Sequence, residues 1–165
     1  MSANRVVIGV IGGGAQVAQS VYDTAIEVGR LIARNEAFLV CGGLGGVMEA
    51  ASKGASENNG TVIGILPGDT VDEANPYLTV RIPSGMGVGR NVLVVRAADV
   101  LIAFPGSYGT LSEIALALHM GKGVVYMPGT WPLHKIARIE SSLFKEAIDP
   151  IHAVGLALDM AGSPF

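Results

Sequence analysis

The chain alternates between short apolar runs and longer segments in which apolar residues recur every three or four positions. Arg5-Val6-Val7-Ile8-Gly9-Val10-Ile11, Phe38-Leu39-Val40-Cys41, Thr61-Val62-Ile63-Gly64-Ile65-Leu66, Val100-Leu101-Ile102-Ala103-Phe104 and Val124-Val125-Tyr126-Met127 are of strand length and mostly apolar at consecutive positions. Such runs place hydrophobic groups on both sides of a strand, which predicts strands inside a sheet covered on both faces. Leu78-Thr79-Val80-Arg81-Ile82 and Leu143-Phe144 are shorter strand candidates. Between the first two runs, Val17, Val21, Ala25, Val28 and Ile32 fall on one stripe of a helix ending near Asn35. Further helices are predicted near Val47 to Glu57, Arg90 to Ala97, Leu111 to Met120 and Pro150 to Met160. Asp149 is placed to cap the last of these, with Pro150 at its first position. The segment from Asp69 to Pro76 reads as loop, and Trp131 to Glu140 as helix or loop. Strands alternating with helices predict an α/β, Rossmann-like, doubly wound fold. Its sheet is mainly parallel, with six or seven strands and helices on both faces. No linker or composition break divides residues 1–165, so the expectation is a single domain.

Composition narrows the function classes. Half of the residues are hydrophobic, yet no apolar run approaches the roughly 18 residues of a membrane span. Residues 1–5 run into the first strand without the ordered regions of a signal peptide, which gives the expectation of a soluble cytoplasmic protein. A lone cysteine, Cys41, excludes an internal disulfide and a multi-cysteine metal site, and reads as a small buried strand residue. The net charge of -3 argues against a nucleic-acid footprint, which needs basic residues gathered on one face. His119, His134 and His152 are scattered and lack metal-ligand spacing. The 23 glycines stand out, at about twice the ~7% of ordinary proteins.

These glycines sit where strands end, at Gly12 to Gly14, Gly42 to Gly46, Gly68, Gly85 to Gly89, Gly106 and Gly109. In an open parallel sheet, ligands bind outside the carboxyl ends of the strands. Tight turns also use glycine whether or not anything binds, so the inference rests on several joints sharing one rim. The first joint lacks the dinucleotide fingerprint and no joint ends as a Walker A loop does. The central joint is Pro105-Gly106-Ser107-Tyr108-Gly109-Thr110-Leu111-Ser112-Glu113, where a buried strand passes through a glycine turn into a helix. Free N–H groups and the positive end of the helix dipole meet there, which makes an anion site.

The candidate binding residues are Gly12, Gly13, Gly43, Gly45, Gly46, Gly87, Gly106, Ser107, Tyr108, Gly109 and Thr110. Arg90 and Glu113 are the candidate catalytic pair. Arg90 at a helix start opposes the macrodipole and calls for a compensating anion. A guanidinium and a carboxylate at one glycine-lined rim suit a ribose phosphate. Glu113 also has a structural reading, because Thr110-x-x-Glu113 matches a capping box. In the first helical turn its carboxylate is expected to stay ionised and to serve as base or electrostatic stabiliser. Glu49 is the one further rim carboxylate to offer as an acid, and Tyr108 or Trp131 could stack on a base.

The central joint resembles the signature Pro-Gly-Gly-x-Gly-Thr-x-x-Glu of the LOG (lonely guy) superfamily, whose enzymes remove the base from cytokinin riboside monophosphates. Cys41-Gly42-Gly43-Leu44-Gly45-Gly46-Val47-Met48-Glu49-Ala50 and Ser84-Gly85-Met86-Gly87-Val88-Gly89-Arg90-Asn91 are similar to further family segments. The resemblance extends from Val6 to Tyr126 and implies that Arg90 and Glu113 match the family's catalytic arginine and glutamate. Ser107 stands in place of the second signature glycine, and Asn91 where the hydrolases have lysine. The Gly-Met-Gly-Val-Gly-Arg-Asn segment and the C-terminal part look more like the molybdenum cofactor carrier branch, which binds a phosphate-bearing pterin. The resemblance therefore implies a binding protein for a nucleotide or nucleotide-like phosphorylated cofactor, either carrier-like or another LOG relative. Molybdenum cofactor and a nucleoside monophosphate are the ligands it suggests. The alternative is a phosphoribohydrolase that cleaves the N-glycosidic bond of a nucleoside 5'-monophosphate. Relatives form dimers or tetramers, so a homo-oligomer is expected, with no nucleic-acid or membrane partner.

Overall fold

A computed structural model describes residues 5–129, 131, 133 and 142–162. The strands are β1 (Val7–Ile11), β2 (Phe38–Cys41), β3 (Val62–Leu66), β4 (Val80–Pro83), β5 (Val100–Ala103), β6 (Gly123–Tyr126) and β7 (Phe144–Glu146). The helices are α1 (Gln19–Arg34), α2 (Val47–Ser56), α3 (Asn91–Ala97), α4 (Tyr108–His119) and α5 (Pro150–Gly162), with a 3-10 turn at Gly87–Arg90 ahead of α3. All seven strands pair in parallel, in the order β4-β3-β2-β1-β5-β6-β7. The doubly wound α/β expectation is met.

Alternation along each strand divides the core. Ile8, Val10, Leu39, Cys41, Val62 and Ile102 face α1, α2 and α5, whereas Ile11, Val40, Ile65, Leu101 and Val124 face α3 and α4. Every residue of β5 and β6 is buried, which is why these runs lack polar positions. The predicted stripe of α1 is buried at Ala25, Val28 and Ile32, although the helix starts at Gln19, beyond Val17. Gly29 of α1 and Gly54 of α2 let the two helix backbones meet. A Cβ on Gly29 would stand 2.8 Å from the Ala51 carbonyl carbon, and one on Gly54 2.7 Å from that of Ile26. Asn59 ends the turn after α2 with a φ of 59°, and, as the pattern predicted, the Asp149 carboxylate accepts from His152 N–H at 2.7 Å to cap α5.

Edges are less regular. β4 is exposed throughout, and β7 is short. Of the segment expected as helix or loop from Trp131 to Glu140, all but Trp131 and Leu133 lies outside the described residues. Among the described residues no helix is long and apolar enough to cross a membrane.

Candidate functional site

The strand order reverses between β1 and β5. From β1 the chain works outward through β2 and β3 to β4, then returns to pair β5 against the other side of β1. Ile11 and Ala103 lie side by side at the strand ends, and the loops that follow diverge to leave a crevice. Gly13 N–H donates to the Pro105 carbonyl at 3.1 Å and Val47 N–H to the Gly13 carbonyl at 2.9 Å, so the turns after β1, β2 and β5 are tied together. Gly46 has a φ of +64° with the Gly13 carbonyl where a side chain would stand, a position only glycine fills without strain.

A cleft of about 250 Å³ opens at this point. Gly12, Gly87, Ser107, Gly109 and Thr110 line it together with Arg90 and Glu113, so seven of the predicted site residues come together. Leu44, Met48, Pro67 and Val88 add apolar surface to its lining. Arg90 ends the 3-10 turn and is only 8% exposed. Its Nη1 donates to Asn91 Oδ1, and its Nη2 reaches the Gly42 carbonyl at 3.4 Å. A Cβ at Gly42 would lie 2.8 Å from the guanidinium carbon, so the absent side chain makes room for the arginine. Buried Nε has no hydrogen-bond partner among the described residues. An unmade bond from a buried charged donor is costly.

The start of α4 supplies further donors. Leu111 N–H makes the first bond of the helix, to the Ser107 carbonyl at 3.0 Å. Among the described residues, the N–H groups from Gly106 to Thr110 have no protein acceptor. They meet the positive end of the helix dipole, as an anion site requires.

Glu113 departs from two expectations. Because α4 begins at Tyr108 with Ser107 as its N-cap and no side-chain cap bond, Thr110 lies inside the helix and no capping box forms. Glu113 is then in the second turn, 7% exposed, and has no hydrogen-bond partner among the described residues. Burial pushes its carboxyl up to about 7, while the nearby Arg90 guanidinium draws it down. Desolvation outweighs the arginine and lifts the carboxyl to about 7, above the ordinary carboxylate range. A group that titrates near neutrality can both accept and donate a proton.

The remaining predicted residues lie around this cleft. Gly13 and Gly106 face an adjoining hollow between the turns after β1 and β5, which shares Ser107 and includes Trp131. Gly45 and Gly46 border a depression beside Tyr22. Tyr108 is 84% exposed and lies with Leu111 and Trp131 on the far side of Ser107. Gly43 packs against Leu66, lies outside these hollows and has a φ of +75°. Glu49 accepts from the Tyr22 hydroxyl at 3.5 Å and does not line the Arg90 cleft. Sequence reasoning missed the link from Arg90 through Asn91 to α4, where Asn91 Nδ2 donates to Ser112 Oγ at 3.3 Å and Ser112 Oγ donates to the Gly109 carbonyl at 2.7 Å. The signal was present only as the unusual asparagine after the arginine.

Comparison with known proteins gives consistent results. A model of the SLOG cluster4 family matches residues 5–154. The molybdenum cofactor binding protein of Rippkaea orientalis superposes with a TM-score of 0.89 at 34% identity, covering 96% of this chain and 98% of that one. The molybdenum cofactor carrier protein of Chlamydomonas reinhardtii gives 0.84 at 34% identity, covering 96% and 100%. The cytokinin riboside 5'-monophosphate phosphoribohydrolase LOG of Oryza sativa is 35% identical over 99 residues. That match takes in 58% of this chain and 40% of the enzyme.

Proposed function

The chain belongs to the SLOG cluster4 family, and from that premise we propose that it binds a nucleotide or nucleotide-like phosphorylated cofactor at the β1–β5 crevice. The observation that carries the reading is Arg90, which lines the cleft with a buried Nε that has no partner among the described residues, beside a helix start whose N–H groups have no protein acceptor among them. Together they match the fork and cradle that a phosphate monoester needs. The apolar lining from Leu44, Met48, Pro67 and Val88 suits a planar ring attached to that phosphate.

Both structural neighbours named above bind or carry molybdenum cofactor. A phosphate-bearing pterin fits the donors present here: Arg90 and the amides from Gly106 to Thr110 would hold the phosphate, and the metal would travel as cargo. This chain's residues then bind and orient the cofactor and shield it from water.

A second reading, hydrolysis of a nucleoside 5'-monophosphate at the N-glycosidic bond, is favoured by one observation. Glu113 is buried in the same cleft with its carboxyl poised near neutrality, where it could take a proton from water or stabilise charge at the anomeric carbon. Isothermal titration with 5'-AMP and with inorganic phosphate, in wild type and Arg90→Ala, tests the binding site. AMP should bind wild type and lose at least about tenfold in affinity in the variant; equal affinities would remove the site. Chromatography of the same mixtures for free adenine separates the readings, since release abolished by Glu113→Gln makes the protein a hydrolase.

A further inference from the structure

Arg90 and the phosphate-binding turn belong to different elements, and one side chain spans them. Asn91, the first residue of α3, accepts from Arg90 Nη1 with Oδ1 and donates with Nδ2 to Ser112 Oγ of α4 at 3.3 Å. Ser112 is fastened in turn to the Gly109 carbonyl at 2.7 Å. The planar fork of Arg90 is thereby held at Nη1, while Nη2 makes only a long contact to the Gly42 carbonyl at 3.4 Å and Nε is unpartnered. Arg90 lines the cleft, and a guanidinium held in one plane is what a phosphate oxygen pair accepts.

We propose that Asn91 is a positioning residue: it holds the Arg90 guanidinium at Nη1 and, through Ser112, fixes it relative to the amides of the turn at Gly109. Both amide atoms are needed. An aliphatic residue would leave the fork free to rotate, and a cation at this position would repel it. The lock acts before the ligand arrives, so its benefit is pre-organisation of the arginine and not a new contact to phosphate.

The proposal rests on the phosphate-binding reading given above, and the test separates the two. Affinity for 5'-AMP is measured by isothermal titration for wild type, Asn91→Ala, Arg90→Lys and the double variant, with Arg90→Ala as control. Lysine keeps the charge but has no planar fork to orient. The expected result is a loss of about tenfold for Asn91→Ala in the wild-type background and less than about twofold in the Arg90→Lys background, a non-additive pair. Equal losses in both backgrounds would make Asn91 merely structural and overturn the proposal while leaving the site intact. AMP binding unaffected by Arg90→Ala, or absent from wild type, would overturn the site and the proposal together. Ser112→Ala provides a milder cut of the same link: a loss intermediate between wild type and Asn91→Ala supports the chain of contacts. Full affinity in Ser112→Ala and in Asn91→Ala overturns it. In the ligand-free protein the Arg90 Nε–H proton should also exchange faster with water in Asn91→Ala than in wild type.

Discussion

Replacing Glu113 by glutamine should stabilise the ligand-free protein, and by an amount that depends on pH. The carboxyl rises from 4.5 to about 7 because burial penalises its charged form. In the unfolded chain the same group loses its proton near its ordinary value, so between pH 4.5 and 7 the folded state binds more protons than the unfolded one. Stability contributed by the neutral carboxyl is therefore complete at low pH and is lost as the pH climbs through the folded value. At about 1.4 kcal/mol per pH unit, the shift corresponds to roughly 3 kcal/mol of burial cost for the charge. Glutamine has nearly the same shape and no charge to bury, so Glu113→Gln should exceed wild type by just under about 1 kcal/mol at pH 5 and by about 3 kcal/mol at pH 8. In a chain of this length that is on the order of 10 °C in Tm. Urea unfolding followed by circular dichroism at pH 5, 6, 7 and 8 measures it. A variant less stable than wild type at pH 8, or a difference that does not change with pH, would show that Arg90 holds the carboxylate charged and would refute the argument.

Other perturbations probe separate parts of the molecule. Arg90→Lys should weaken binding of inorganic phosphate by about tenfold, since one ammonium cannot offer a guanidinium edge; titration calorimetry measures the loss. Gly54→Ala should destabilise the fold by about 3 kcal/mol or more, because the new methyl meets the Ile26 backbone and α1 and α2 must separate; a loss under about 1 kcal/mol in urea unfolding would contradict the close helix contact. Gly106→Ala should reduce phosphate binding without unfolding the protein, as its Cβ would press on Thr110 Cβ at 2.7 Å and displace the turn; melting curves and phosphate titrations together separate the two effects.

The sheet was legible because its strands are apolar on both faces and end in glycine turns, and the run Val100 to Phe104 illustrates this. Its last residue, Phe104, lies just past β5 yet is still buried. The start of α4 was less legible. The apolar period suggested Leu111, but the helix begins at Tyr108, a residue exposed to solvent that contributes nothing to the stripe. Helix starts depend on where the backbone bends, here at Gly106 packed against Thr110 and Gly12, and not on hydrophobicity alone. Those three residues moved Glu113 from a cap to a buried wall. No local pattern reports burial of that kind, since Thr-x-x-Glu reads the same in both settings. The contact between Arg90 and Gly42 likewise joins residues 48 positions apart. Arg90, Glu113 and the glycine rim were visible as residue types at suggestive joints; the Asn91–Ser112 link, which depends on α3 and α4 lying side by side, was not.

The reversal of strand order has a consequence for how such a protein changes over time. Because β1 and β5 lead away toward opposite borders, a gap persists between their tips whatever side chains surround it. The address of the pocket is thus inherited with the topology, while its selectivity resides in a few replaceable groups on the rim. Altering those groups singly changes what the pocket accepts, with no rebuilding of the scaffold beneath.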